Sequence, residues 1–124
     1  MRVLVTGGCG YIGSALVPKL LSIGHHVTVV DVQWFGCNLS EHENLIINKP
    51  TDSDIRNWGY RQIAFYDCVI HLAAVANDPC GDLSAKVTWD INAFSTWDMI
   101  YGNPKRFIYA SSGSVYGVSK DDQV

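Results

Sequence analysis

A glycine-rich turn near the start of the chain has the spacing of a phosphate-binding loop. Residues 7–13 read GGCGYIG, which satisfies GxGxxG counted from Gly8 and GxxGxxG counted from Gly7. Such glycines permit a tight turn and a close approach of backbone to a pyrophosphate, and the helix that follows offers unpaired N–H groups. Either spacing predicts a bound dinucleotide. We expect the turn to contact it through Gly7, Gly10, Tyr11, Ile12 and Gly13.

An acidic residue follows the turn at the distance that a dinucleotide site requires. Asp31 ends the second apolar run, eighteen residues after Gly13. A carboxylate there can accept hydrogen bonds from the adenosine ribose hydroxyls and would repel a 2′-phosphate. Residues 32–34 supply no arginine that could receive such a phosphate. A glycine turn alone could be a tight connection that binds nothing, but with Asp31 it favours NAD, and NAD over NADP.

Five apolar, β-branched runs provide the framework for these groups. They are separated by helical or loop segments, which is typical of parallel strands joined by right-handed crossovers. The pattern predicts an α/β fold, a Rossmann-type doubly wound parallel sheet that is incomplete, with about five strands. We assign residues 1–124 to one NAD-binding domain, the N-terminal portion. The predicted strands are Arg2–Thr6, Val27–Val30, Leu45–Ile47, Cys68–Leu72 and Arg106–Ala110.

Two segments have helical periodicity. Apolar residues recur every three or four positions from Tyr11 to Ile23, and Gly24 can close that helix in a left-handed conformation. Pro18 lies inside it, so we expect a kink or a widened turn but no break. The segment from Leu83 to Tyr101 is predicted to be mostly helical.

Composition excludes several classes of function. Nine Lys and Arg against twelve Asp and Glu give a net charge of −3, so there is no basic surplus for nucleic acid. No apolar run reaches the roughly twenty residues that span a bilayer, and no signal-peptide pattern is present, so we expect a cytoplasmic protein without a membrane partner. Four cysteines without a CxxC pair and four scattered histidines indicate reduced thiols and no metal site.

Five ordered motifs together resemble one known family. The chain contains TGGCGYIG at residues 6–13, DIR at 54–56, HLAA at 71–74, an asparagine at position 92 and SSGSVYG at 111–117. These resemble the extended short-chain dehydrogenases/reductases, and among them the NAD-dependent sugar-nucleotide epimerases/dehydratases similar to UDP-glucose 4-epimerase. The resemblance covers the N-terminal part of such a protein, so the C-terminal substrate domain is expected to be absent from this chain.

The resemblance implies roles for further residues. Ser112 is implied to hydrogen-bond the reacting sugar hydroxyl or ketone, beside a Tyr-x-x-x-Lys pair that performs the acid–base chemistry. Each motif has an alternative on its own: Asp54 could be a helix N-cap, residues 111–114 could be a polar turn, and His71 is expected to pack and hydrogen-bond at a strand end. The additional cofactor contacts that the resemblance implies are Asp54, Ile55, Leu72, Ala73, Ala74, Asn92 and Ser111.

The sequence departs from the family pattern near its end. Tyr116 and Lys120 have YxxxK spacing, but Tyr116 belongs to the VYG motif, so the catalytic pair is expected beyond Val124. Residues 1–124 alone are therefore expected to be inactive. Gly113 and Ser114 stand where the family's dehydratases have Asp-Glu, which favours epimerase or simple oxidoreductase chemistry.

The predicted function is that of an NAD-dependent oxidoreductase/epimerase that acts on a nucleotide-linked sugar by transient hydride transfer to NAD. The full-length protein is expected to be a homodimer. Two alternatives stay open: an NAD(P)-dependent ketone reductase of the same fold, and a non-catalytic nucleotide-binding or scaffold protein.

Overall fold

A five-stranded parallel sheet forms the centre of the chain, in the order β3-β2-β1-β4-β5. The structure is a computed structural model that describes residues 1–76 and 78–117. All five predicted strands are confirmed, with ends that differ from the expected ones by one residue at most. Their bounds are β1 Arg2–Thr6, β2 His26–Val30, β3 Leu45–Ile47, β4 Cys68–His71 and β5 Phe107–Tyr109. The Rossmann-type α/β fold is thus confirmed.

Short helices connect the strands. Helix α1 spans Tyr11–Ser22 without a break at Pro18, and Gly24 follows it with a φ of +81°. The segment predicted to be helical from Leu83 consists of two α-helices joined by a π-helical turn, Asp90–Phe94. Two helices of four and five residues were not predicted, because one turn is too short to show periodicity. The remaining helices are α2 Tyr60–Ile63, α3 Asp78–Asp82, α4 Ala85–Trp89 and α5 Ser95–Tyr101.

Strand β1 is central and is buried on both faces. Val3 and Val5 pack into a cluster with Val17 of α1, whereas Leu4 points to the opposite face and packs with Met99 of α5. The parallel register places Thr6, the last residue of β1, beside Val30 of β2 and His71 of β4. The carboxyl ends of three adjacent strands therefore meet at one edge of the sheet, which is where open α/β sheets bind ligands.

Large apolar side chains are exposed on the side formed by α4, the π-helical turn and α5. The exposed residues there include Trp89, Phe94, Trp97, Ile100 and Tyr101. Strand β5, at the edge of the sheet, also exposes Ile108 and Tyr109. Within the described ranges, none of the helices has the length and apolar character to cross a bilayer.

Candidate dinucleotide site

A cavity of about 300 Å³ opens at the carboxyl edge of the sheet. Four segments meet there: the glycine turn, the loop after β2, the Asp54 segment and the loop after β4. Nine of the residues predicted to contact the cofactor line this cavity: Gly7, Gly10, Tyr11, Asp31, Asp54, Ile55, Leu72, Ala73 and Ala74. Ile12, Gly13, Asn92, Ser111 and Ser112 do not. Residues of three of the five motifs, together with Asp31, thus lie around one space.

Steric packing explains three of the four glycines in the turn. A Cβ on Gly7, whose φ is +69°, would lie 2.6 Å from the backbone nitrogen of Ala73. A Cβ on Gly8 would meet the Val29 side chain at 2.8 Å, and a Cβ on Gly13 would meet the backbone oxygen of Gly8 at 2.3 Å. Gly7 and Gly8 thus permit close packing of the turn against the loop after β4 and against β2, and Gly13 permits close packing of α1 against the turn.

Gly10 differs from the other three glycines. A Cβ at this position would meet only the Gly7 backbone oxygen, at 3.2 Å, and Gly10 lines the cavity. It is also the residue that precedes the first turn of α1. The open space above Gly10 is thus the place where a pyrophosphate could lie against the backbone, at the N-terminal end of a twelve-residue helix.

Asp31 is held at the cavity wall by two backbone groups. Its Oδ2 accepts a hydrogen bond from the Cys9 N–H at 2.9 Å, and its Oδ1 accepts one from the Gln33 N–H at 2.7 Å. These bonds fix the carboxylate between the glycine turn and the loop after β2. Trp34 and Phe35 of that loop also line the cavity and are 68% and 99% exposed. No sequence motif predicted this aromatic wall of Trp34 and Phe35.

Asp54 and Ile55 face different surroundings although they are adjacent. Asp54 caps the 3-10 turn Ile55–Asn57 by accepting the Arg56 N–H at 3.0 Å, and it forms a salt bridge with the Arg56 guanidinium. The hydrogen bond from Arg56 lowers the pKa of the Asp54 carboxyl. Ile55 is 5% exposed and belongs to the core. The N-cap alternative therefore describes the local role of Asp54, which lines the cavity as well.

His71 forms a buried hydrogen-bonded network beneath the site. Its Nδ1 is 2.5 Å from Thr6 Oγ1, and its Nε2 is 3.0 Å from Thr96 Oγ1. The Thr96 hydroxyl donates to the Asn92 carbonyl, so it accepts from Nε2, and Thr6 Oγ1 accepts from the Ala73 N–H and donates to Nδ1.

This pattern places a proton on Nε2, and the donation from Thr6 to Nδ1 holds for the neutral ring. Burial lowers the pKa of His71 to about 4, which agrees with a neutral ring. The expected role of His71 in packing and hydrogen bonding at the strand end is confirmed.

Asn92 holds the loop after β4. Its Oδ1 accepts the Val75 N–H at 2.8 Å, and its Nδ2 donates to the Val75 carbonyl at 3.0 Å. Val75 lines the cavity next to Ala74. Both polar atoms of the Asn92 amide are thus used to position the backbone of the cavity wall, and a direct contact with a cofactor stays a prediction.

The serine loop after β5 is exposed. Ser112 accepts the Ser114 N–H at 3.1 Å and begins the 3-10 turn Gly113–Tyr116, so the local structure is the polar turn considered as an alternative. Because β5 is parallel to β4, this loop lies at the same edge of the sheet as the cavity. Tyr116 is 88% exposed, and Lys120 lies outside the described residues.

One contact near the cavity involves residues that were not predicted to meet. Cys9 Sγ and Cys37 Sγ are 2.7 Å apart, although the two residues are 28 positions apart in sequence. No sequence signal identified this pair, since the cysteines lack a CxxC spacing. In the described part of the chain, no group of three or more His, Cys, Asp or Glu side chains has an arrangement suited to a metal ion.

Comparison with known proteins agrees with this geometry. The model of the NAD-dependent epimerase/dehydratase family matches residues 3–124. UDP-glucuronic acid decarboxylase 1 from Danio rerio is 34% identical over an alignment 131 positions long. The alignment covers 94% of this chain and 28% of that protein.

Solved structures give the same result. The UDP-N-acetylglucosamine 4-epimerase from Methanobrevibacter ruminantium, in complex with UDP-N-acetylmuramic acid, is 31% identical with a TM-score of 0.84, over 99% of this chain and 41% of that one. A UDP-glucose-4-epimerase from Stenotrophomonas maltophila, with bound NAD and formylated UDP-arabinopyranose, is 26% identical with a TM-score of 0.77, over 100% of this chain and 40% of that one.

The chain thus spans well under half the length of these relatives. The family model, however, covers nearly all of it, and the glycine turn, Asp31 and the cavity between them lie where that fold binds its ligand. The chain belongs to the NAD-dependent epimerase/dehydratase family.

Proposed function

We propose that the complete protein binds NAD in the cavity at the carboxyl edge of the sheet and is an NAD-dependent oxidoreductase/epimerase of nucleotide-linked sugars. The observation that carries this proposal is that the open space beside Gly10 and the fixed carboxylate of Asp31 line the same cavity. The N–H groups at the start of α1 and this carboxylate match the pyrophosphate and the ribose of a dinucleotide.

Each wall of the cavity has a part in holding the cofactor. The turn at Gly7, Gly10 and Tyr11 receives the pyrophosphate, with Ile12 and Gly13 supporting it from α1. Asp31 accepts the ribose hydroxyls, and Asp54 and Ile55 contact the adenine. Leu72, Ala73 and Ala74 would contact the cofactor, as would Asn92 and Ser111, which lie outside the cavity lining. Bound NAD supplies a reversible hydride acceptor.

The charges around the cavity favour NAD over NADP. Asp31 would repel a 2′-phosphate, and the guanidinium of Arg56 is paired with Asp54, with Arg56 Nη2 lying 2.5 Å from Asp54 Oδ2. The Asp54 carboxylate therefore offsets the positive charge that Arg56 could offer to a 2′-phosphate. The adenosine end of the cavity is therefore better suited to free ribose hydroxyls.

The substrate proposal rests on the relatives and on the serine loop. Relatives named as epimerases and a decarboxylase act on UDP-linked sugars, which indicates a nucleotide sugar here. Ser112, at the same edge of the sheet as the cavity, would hydrogen-bond the reacting hydroxyl.

The exposed apolar side of α4 and α5 supports a homodimer in the complete protein, which we propose to be cytoplasmic.

Titration of the complete protein with NAD and with NADP tests the cofactor. We expect tighter binding of NAD, and loss of binding of either cofactor in Gly10→Val, because the branched side chain occupies the pyrophosphate space. Gly113→Val is the matched control, since a Cβ there meets nothing within 4 Å. Equal affinities for the two cofactors, or unchanged binding by Gly10→Val, would contradict the proposal.

Turnover is tested with a panel of nucleotide sugars and NAD. Interconversion of epimers without net NADH accumulation is the expected result. Net reduction of a non-sugar ketone would support the reductase alternative, and NAD binding without turnover of any kind would support the scaffold alternative.

A further inference from the structure

The thiols of Cys9 and Cys37 are close enough to react with each other. Their Sγ atoms are 2.7 Å apart, and a disulfide bond is about 2.05 Å long. Bond formation therefore requires the sulfurs to approach by less than about 1 Å. Both residues are half-buried, and Gly36, with a φ of +82° and open space around it, gives the loop before Cys37 room to adjust.

The pair connects two walls of the cavity. Cys9 belongs to the glycine turn and lines the cavity itself. Cys37 follows Gly36, which comes directly after Trp34 and Phe35 of the aromatic wall. A covalent bond between the two sulfurs would tie the end of this wall to the turn. At its start the same loop is held by hydrogen bonds, such as that from the Gln33 N–H to Asp31.

We propose that Cys9 and Cys37 are a reversible dithiol–disulfide pair, and that its oxidation fixes the aromatic wall of the cavity and tightens dinucleotide binding. The effect on binding rests on the proposed function, whereas the effect on the loop does not. Disulfides in reducing compartments are usually transient and regulatory, which fits a pair placed at a ligand cavity.

Hydrogen peroxide is a sufficient oxidant for this step. The sulfur of one cysteine attacks a peroxide oxygen and the O–O bond breaks, giving a sulfenic acid and hydroxide that leaves as water. The second sulfur then attacks the sulfenic sulfur, the S–O bond breaks and a second water leaves. Two thiols thereby lose two protons and two electrons, and one peroxide becomes two waters.

The surroundings of Cys9 affect its reactivity. Burial, the hydrogen bond to Cys37 and the charge of Asp31 all raise the pKa of the Cys9 thiol. Because the thiolate is the nucleophile, this shift slows the reaction of Cys9 with peroxide. Reduction by a cellular dithiol reverses the step by thiol–disulfide exchange.

Oxidation is expected to tighten NAD binding because ordering the loop after β2 has an entropic cost. A loop that is free in the apo protein loses conformational entropy when it closes on the adenosine, and this loss weakens binding. A disulfide that already fixes the loop removes part of that cost. By linkage, bound NAD in turn makes the disulfide harder to reduce.

The test compares oxidised and reduced forms of the complete protein. Treatment with hydrogen peroxide under native conditions is expected to give a linked Cys9–Cys37 peptide in mass spectrometry, and NAD to bind the oxidised form at least threefold more tightly. Cys37→Ser should lose both responses. The matched control Cys80→Ser, at an exposed cysteine, should retain both. Absence of the linked peptide, or equal affinity of the two forms, would overturn the proposal.

A second readout does not depend on NAD. Chymotrypsin cleaves after exposed aromatic residues, and Trp34 and Phe35 provide two such sites. Oxidation is expected to slow cleavage at these sites several-fold in the wild type and the Cys80→Ser control but not in Cys37→Ser. Slower cleavage without NAD binding in either form would overturn the proposed function but support a disulfide that restrains the loop after β2. Unchanged cleavage would show that oxidation does not restrain this loop, and would overturn the proposal.

Discussion

The glycine turn and the serine loop lie at the same edge of the sheet but are specified in different ways. In the turn, a Cβ on Gly7 or Gly13 would lie within 2.6 Å of backbone atoms, so the fold itself requires these residues. In the serine loop, residues 111–117 are all exposed, and a Cβ on Gly113 would meet nothing. The first region is fixed by packing against the core. The second is held by hydrogen bonds between its own residues, such as that from the Ser114 N–H to Ser112. Folding therefore constrains the residue types of the serine loop less than those of the glycine turn.

The largest expected effect tests the packing of the turn. Gly13→Ala places a methyl group 2.3 Å from a backbone oxygen, so we expect a loss of about 3 kcal/mol or more in the free energy of unfolding and loss of NAD binding. Gly113→Ala, in the serine loop, should change the free energy of unfolding by less than about 0.5 kcal/mol. Urea denaturation of the complete protein measures both. Similar losses of unfolding free energy in the two variants would show that the glycine turn and the serine loop are equally constrained by packing.

The next effect tests the chemistry of the serine loop. Ser112→Ala in the complete enzyme is expected to lower kcat by about ten- to a thousandfold with little change in NAD affinity, because a positioned hydrogen bond acts mainly on the transition state. Ser114→Ala is the matched control, since its backbone N–H still reaches position 112. Steady-state kinetics with the active nucleotide sugar gives the result. A loss confined to Ser114→Ala would assign the role to the other serine.

A third prediction concerns the buried network beneath the turn. The pKa of His71 is about 4 in the folded protein and about 6.5 when unfolded, so the unfolded state binds the proton more readily. The stability that the neutral ring provides is fully present above pH 6.5, and it declines as the pH falls from 6.5 toward 4, by about 3 kcal/mol in total.

Urea denaturation between pH 4 and pH 7 measures this slope. His71→Gln should be less stable at pH 7 but should lose the part of the slope that His71 contributes, whereas His26→Gln, at an exposed position, should keep it. An unchanged slope in His71→Gln would show that His71 does not titrate on unfolding.

The smallest effect concerns cofactor choice at the cavity wall. Asp31→Asn keeps an acceptor for the ribose but removes the negative charge, so we expect NAD affinity to fall by about tenfold or less and NADP affinity to rise. Asp54→Asn serves as the comparison, because it releases Arg56 from its salt bridge and should raise NADP affinity by a different route. Calorimetric titration with both cofactors measures the ratio. If Asp31→Asn leaves the ratio unchanged, the carboxylate does not select against the 2′-phosphate.

The sequence predicted the structural elements that depend on the residue pattern of a short segment. The five strands, α1 and the turn follow from apolar runs and glycines whose effect is confined to neighbouring residues. A doubly wound parallel sheet was predicted as well, whereas the strand order that brings Asp31 and the loop after β4 to one cavity comes from the structure.

What the sequence did not predict depends on contacts between distant loops. Cys9 meets Cys37 at the end of a loop in which Gln33 and Gly36 adopt positive φ angles, of 56° and 82°, and no spacing rule signals such a path. Asn92, whose amide bonds the backbone of Val75, lies within a π-helical turn that the sequence did not predict. Such features depend on the exact path of the backbone, so pattern reasoning identified the motifs but not the bonds between them.

The register of the central strand has a consequence for how the protein folds during synthesis. Strand β1 pairs Val3 with Val27 on one side and with Cys68 on the other, so its two neighbours leave the ribosome at very different times. The first βαβ unit, with the glycine turn inside it, can assemble as soon as residue 30 has emerged. Its other edge must wait for β4, about forty residues later. At the synthesis rates of cells, about 5–20 residues per second, the nascent chain carries an open β1 edge for some seconds. This interval is when a chaperone would be of most use to it.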